Sequence, residues 1–237
     1  MKEYEKAYDI KLPKRMPIIL RIDGRSFHQV LKNAEKPFDK DVKTFMDSVA
    51  VALVDEVGGA VFAYVQSDEV NLLVINYSTL EFEPYFNNEL QKIVSVTASI
   101  ATREFNSMID TYKNKAKILY GTFDSRAFVL PKEEVCNLFL WRQQDCERNS
   151  VQMVARSLYT HKQCENKNNS QLQDMMFKKG INWNSLPVWQ KRGRAVYRKA
   201  YTENRVLKSR IIIDDEIPVF SEDREFIDRF VNVQNGK

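Results

Sequence analysis

The chain has 237 residues, 43% hydrophobic and 29% charged, with a formal net charge of +4. No stretch approaches the roughly 20 apolar residues needed to span a bilayer, and the length suits one large domain or one with an elaborated second half. Three cysteines without Cys-x-x-Cys spacing and only two histidines disfavour a zinc site and point to a reducing cytoplasm. Met1–Lys6 is charged and is not expected to act as a signal peptide. The basic excess permits a polyanionic partner without requiring one.

In chain order, the apolar run Ile18-Ile19-Leu20, continued by Ile22, stops at Asp23-Gly24. This predicts a buried strand with an acid at its C-terminal rim, and a glycine where a ligand can approach the backbone. Taken alone, Asp23 reads equally well as an Asx-turn residue. Val30–Pro37 is a connector, after which Asp39 or Asp41 caps a helix running to about Val57. Its Val42, Phe45, Met46, Val49, Leu53, Val54 and Val57 follow the helical template and are core. Gly58-Gly59 stops that helix. Strands Ala60–Val65 and Val70–Tyr77, joined by Gln66–Glu69, form a hairpin. A second amphipathic helix is predicted over 84–105, then a fourth strand over 122–130.

The order β-α-β-β-α-β is the split βαβ, or ferredoxin-like, arrangement. Residues 1–130 are therefore expected to form an α+β core. Residues 131–237 are expected to form a helical, basic extension packed on it. In that extension, 132–160 reads as a long helix, 162–170 as a polar connector and 172–177 as a short amphipathic segment. Trp183, Trp189, Tyr197 and Tyr201 then alternate with Lys191, Arg192, Arg194, Arg198 and Lys199. Such a stretch suits tRNA backbone contact, or equally a solvated helix face over packed aromatics. Ile211–Ile213 suggests one more strand, and the last twenty residues a terminal helix.

Topology places the acids. The first and third strands of a split βαβ sheet are central and antiparallel, so Asp23 and the Asp68-Glu69 pair converge on one rim. Their repulsion raises at least one pKa unless a cation intervenes, and Mg²⁺ suits carboxylates combined with a carbonyl and phosphate oxygens. Two such ions about 3.5–4 Å apart support phosphoryl transfer. An acidic surface turn is the plainer reading of Glu69 alone. Backbone N–H groups of Gly24–Phe27 are candidates to line a triphosphate, with Arg25, Lys36, Lys92 and Arg126 as candidate counter-charges. A non-catalytic RNA-binding module of the same strand order would stack bases on central-strand aromatics. Ile18–Arg21 and Val70–Ile75 offer none.

With these residues assembled, the chain resembles the tRNA-His guanylyltransferase superfamily, and its tRNA 5′-end-repairing members most. The resemblance covers about residues 15–195. It lies in Arg21–His28, Lys36–Asp39, Gln66–Glu69, Phe123–Arg126, Trp141–Cys146, Ile181–Asn184 and Lys191–Gly193. It implies a polymerase-palm fold, a homotetramer and 3′→5′ nucleotide addition to tRNA. Asp23, the Gly24 carbonyl and Asp68 would hold two Mg²⁺ ions, with Glu69 completing the catalytic motif. Arg25, Ser26, Phe27 and His28, helped by Ser67, would wrap the nucleoside triphosphate, with Lys36 and Asp39 near it. Lys92 and Arg126 would lie near a second triphosphate or the activated RNA end. Arg142, Asn149, Lys191, Arg192, Arg194 and Arg198 would contact tRNA. ATP would adenylylate a 5′-monophosphate, and the 3′-hydroxyl of GTP or another NTP would then displace AMP.

Three departures bear on the substrate. Guanylyltransferases proper continue His-Ile-Asn-Asn-Leu-Tyr-Asn after the Trp141–Cys146 motif. This chain has Glu147–Met153, keeping only Asn149. Ser125 replaces a glycine, and Asn87-Asn88-Glu89 replaces a basic cluster. The first departure favours template-dependent repair of 5′-truncated tRNA over guanylylation at position −1, and that segment is not expected to touch the acidic site. A palm-type nucleotidyl cyclase would need no RNA-binding extension.

Overall fold

The computed structural model describes residues 1–79, 81–112, 117–203 and 206–232. Strand β1 (Ile18–Gly24) leads to helix α1 (Lys40–Glu56), the hairpin β2 (Ala60–Gln66) and β3 (Glu69–Val74), helix α2 (Leu90–Tyr112) and strand β4 (Phe123–Val129). The expected βαββαβ order is present. Helix α3 (Lys132–Leu158) and helix α4 (Asn169–Lys178) follow. The chain closes with β5 (Arg194–Glu203), β6 (Val206–Asp214) and helix α5 (Glu225–Val231).

The sheet has six strands in the order β4-β1-β3-β2-β5-β6, with every neighbouring pair antiparallel. Here the structure corrects the expectation of a helical basic extension. Arg194–Glu203 is a strand paired with β2, and the helix before it covers only Val188–Arg192. The buried start of β5, Arg194–Tyr197, alternates between the two faces of the sheet, as any strand does.

Two apolar layers sandwich the sheet. On one face Ile18, Leu20, Ile22, Val70 and Leu72 pack against Phe45, Met46, Leu53, Ile93, Ala101 and Phe105 of α1 and α2. On the other, Ile19, Phe62, Tyr64 and Leu73 pack against Val135 and Phe139 of α3 and Ile227 of α5. The alternation that sends Ile18, Leu20 and Ile22 toward α1 and α2 sends Ile19, Arg21 and Asp23 toward α3. The register then sets Asp23 opposite Glu69 on one side and Asp124 on the other. No helix among the described residues is long and apolar enough to cross a membrane.

Candidate active site

Asp23 ends β1 beside the tight turn Ser67-Asp68 that joins β2 to β3. Ser67 takes a left-handed φ of 47°, and the Gly24 N–H donates to the Asp68 carbonyl at 3.1 Å, tying the two acidic segments together. Burial pushes the Asp68 carboxyl up to about 6, against hydrogen bonds from the Ser67 hydroxyl and its own N–H, with Asp23 and Glu69 adding repulsion. Burial raises the Asp23 carboxyl too, assisted by Glu69 and Asp124 and opposed by Arg21 and Arg126. Among the described residues neither acid has an ion-pair partner. No three His, Cys, Asp or Glu side chains there form a metal cluster. Protein donors would thus be two carboxylates and a carbonyl, with phosphate oxygens and water to complete the shell. That donor set fits Mg²⁺.

Glu69 is placed differently. Its carboxylate accepts from Arg21 at 2.9 and 2.6 Å, Arg142 at 2.8 and 3.0 Å, Gln66 at 2.8 Å and Asn71 at 2.7 Å. Burial would raise its pKa, but these partners outweigh it and hold the carboxyl below the usual range. A carboxylate so fully engaged has little left for a metal.

Both aspartates open into a cleft of about 470 Å³ whose wall includes Lys36, Asp39, Lys43, Ser67, Asn149, Arg156, Trp189 and Arg194. Such a volume suits a small-molecule ligand. Lys43 pairs with Asp47 and Asp215, and Arg194 with Asp47. Lys36 and Arg156 have no acidic partner among the described residues, so both are available to phosphate. Arg156 escaped the sequence reading. Its signal is helical: Arg142, Asp145, Asn149, Gln152 and Arg156 recur on the cleft side of α3.

Several expected contacts fall elsewhere. Phe27 is buried against Phe105 and Phe123 and packs where a Gly24 Cβ would collide, so its ring is core. The N–H groups of Gly24 and Arg25 are already bonded, to Asp68 and Thr122, which removes them from the expected triphosphate cradle. Those of Ser26, Phe27 and His28 meet no acceptor among the described residues. Arg25, Ser26 and His28 are exposed outside the cleft wall. Asp39 reaches the wall, but its carboxylate caps α1 through Asp41 and Val42 N–H, accepts from Glu35 N–H and pairs with Lys117 at 2.8 Å. Lys92 sits on α2, across the sheet from Asp23, paired with Glu89. Arg126 shares the face of Asp23 on the edge strand β4, opposite Arg21 and 3.9 Å from the Asp124 carboxylate.

The expected tRNA patch is largely neutralised from within. Arg142 is buried between Glu69 and Asp145, and Arg194 is buried on Asp47 and the Lys43 carbonyl. Lys191 is buried with its ammonium on the Asn184 carbonyl at 2.6 Å, and burial lowers its pKa. Arg192 pairs with Glu147 and Arg198 with Asp55. Asn149, exposed on the cleft wall beside Asp145, and Arg198, exposed although paired with Asp55, keep positions open to RNA.

The family model for Thg1, tRNAHis guanylyltransferase, matches residues 1–131, which hold every strand of the βαββαβ core and both aspartates. The chain belongs to the Thg1 family. Two solved structures of a bacterial tRNA(His) guanylyltransferase (Thg1)-like protein resemble it along nearly all its length. The complex with ATP has a TM-score of 0.91 at 46% identity, covering 99% of this chain and 98% of that one. The complex with GTP has a TM-score of 0.86 at 44% identity, covering 98% and 97%. The tRNA(His) guanylyltransferase of Schizosaccharomyces pombe is 31% identical over 208 residues, 81% of this chain and 77% of that protein.

As a Thg1 family member the chain is a nucleotidyltransferase. The segment Glu147–Met153 lies closer to the two aspartates than the sequence implied. Asn149, Ser150, Gln152 and Met153 line the same cleft as Asp23 and Asp68, while Val151 is core and Glu147 holds Arg192. Substitution at four of its seven positions therefore changes the cleft wall.

Proposed function

We propose that this Thg1 family nucleotidyltransferase adds guanylate to the 5′ end of a tRNA, with ATP and GTP as substrates, in the 3′→5′ direction. The observation that carries this reading is the meeting of Asp23 and Asp68, without a cationic partner among the described residues, at a cleft where Lys36 and Arg156 remain free for phosphate. The names of its relatives favour guanylylation at position −1 over the repair expected from sequence. Mg²⁺ held by Asp23, the Gly24 carbonyl and Asp68 would supply charge neutralisation and activation of the attacking hydroxyl. Glu69 holds Arg21 and Arg142 in place behind that centre, and Lys36 and Arg156 orient the triphosphate. A homotetramer, which rests on the family resemblance, and a cytoplasmic setting, which rests on the three cysteines without Cys-x-x-Cys spacing, belong to the same reading.

A second reading, template-dependent repair of truncated tRNA, is favoured by one observation: the altered Glu147–Met153 segment forms part of the cleft wall. Incubation of histidine tRNA and a panel of 5′-truncated tRNAs with labelled ATP, labelled GTP and the other NTPs separates the two. A single G added to histidine tRNA supports guanylylation. Extension following the opposite strand on several truncated tRNAs supports repair. No label in any RNA refutes both.

A further inference from the structure

Trp141 is unexplained by the site so far. It stands on α3 directly before the buried Arg142, yet it is 48% exposed. The Arg142 guanidinium lies 4.6 Å from its ring centroid and that of Arg21 5.8 Å away. Both guanidinium groups donate to the same Glu69 oxygen, at 3.0 and 2.6 Å. They therefore reach the indole from the side of the Glu69 carboxylate and hold it in place, leaving the remainder of the ring to solvent.

The position of this ring relative to the acids matters. Trp141 stands just outside the cleft wall, next to the Arg21 and Arg142 groups that belong to it. Asp23, on the same wall, has Glu69 across from it on β3 and Asp124 across from it on β4. On the β4 side stands Arg126, its side chain 64% exposed and its nearest carboxylate 3.9 Å away. An exposed indole at the edge of the cleft and a largely exposed guanidinium on β4, loosely paired with Asp124, suit a base and its phosphate. Aromatic faces stack unpaired bases without needing their hydrogen-bonding edges.

We propose that Trp141 is the stacking platform for the terminal nucleobase of the RNA 5′ end, just outside the cleft wall, with the incoming triphosphate inside the cleft. The proposal deepens the reading of this chain as a tRNA 5′-end nucleotidyltransferase. Two substrates of the same chemical class are thereby kept apart: a triphosphate in the cleft beside Lys36 and Arg156, and a stacked terminal base on Trp141.

The test uses the full chain and Trp141→Ala, Trp141→Leu and Trp141→Phe variants. Steady-state constants are measured for tRNA and for GTP, alongside equilibrium binding of a 5′-phosphorylated acceptor-stem hairpin without NTP. Loss of one base stack weakens RNA binding by about tenfold or more. Ala and Leu should raise the tRNA KM and the hairpin Kd by that factor, Phe should stay near wild type, and the GTP KM should not move. Leu covers the Arg21–Arg142 pair without stacking, so it separates stacking from packing. An equal rise in the GTP KM, a Leu variant that behaves like Phe, or unchanged RNA constants in all three would each overturn the proposal. Hairpin binding reads out without turnover, so a wild-type chain that incorporates nothing would sink the functional reading while this arm still decides the role of Trp141.

Discussion

Replacing Arg142 by alanine distinguishes a tRNA contact from an internal clamp. The Arg142 side chain is 5% exposed and makes two bonds to Glu69 and one to Asp145, at 2.8, 3.0 and 2.9 Å. Removing one partner of a buried ion pair costs about 3–5 kcal/mol, because the other charge is left without its counter-ion. Arg21 continues to hold Glu69, so the lower end, about 3 kcal/mol, is expected. For a chain of this size 1 kcal/mol moves Tm by about 2–4 °C, which gives a fall of roughly 6–12 °C. The assays are thermal unfolding and the salt dependence of tRNA binding. A phosphate contact contributes close to one to the slope of log K against log salt, so that slope should be unchanged. A wild-type Tm together with a slope reduced by about one would refute the clamp and restore Arg142 as an RNA contact.

Asp39→Ala should cost about 0.5–2 kcal/mol through loss of the α1 cap. Burial pushes the Asp39 carboxyl up, but Lys117 and three backbone N–H groups outweigh it and leave it lowered. The stabilisation is therefore complete above the unfolded carboxylate range, near pH 4, and is lost as pH falls through the lower folded value. The gap between wild type and variant in urea melts should close on acidification; a gap that widens contradicts the assignment. Phe27→Ala should cost about 3–5 kcal/mol as a core truncation, whereas a nucleotide-contacting ring would leave Tm intact and raise only the GTP KM. Lys36→Ala and Arg156→Ala should each raise the GTP KM about tenfold or more, from the loss of a hydrogen bond to a charged phosphate, with Tm unchanged. Normal GTP constants in both would move the triphosphate out of the cleft.

The core of the site was legible because it depends on short-range patterns. Ile18–Ile22 reads as a strand ending on Asp23-Gly24, Ser67-Asp68 reads as a turn between two apolar runs, and the split βαβ order then brings the acids together. The C-terminal half was not legible, for a physical reason. Arg194 is neutralised by Asp47 and Arg198 by Asp55, across separations of 147 and 143 residues. Such pairing leaves no local trace, so a run of cations reads as a solvated nucleic-acid surface when much of it is internal. Phe27 misled in the opposite sense: within a stretch expected from the resemblance to wrap nucleotide, its ring fills the space left by Gly24. The indole of Trp141 and the free guanidinium of Arg156 became visible only when α3 was laid across the sheet.

The central claim is that Asp23 and Asp68 form the reacting centre and have no other task. The most direct measurement is incorporation of labelled GTP into histidine tRNA by wild type, Asp23→Asn and Asp68→Asn, with tRNA affinity and Tm determined on the same preparations. Incorporation abolished in both variants, with tRNA Kd and Tm close to wild type, is the predicted result. Incorporation that persists in either variant, or activity lost only in step with folding or tRNA binding, would contradict it.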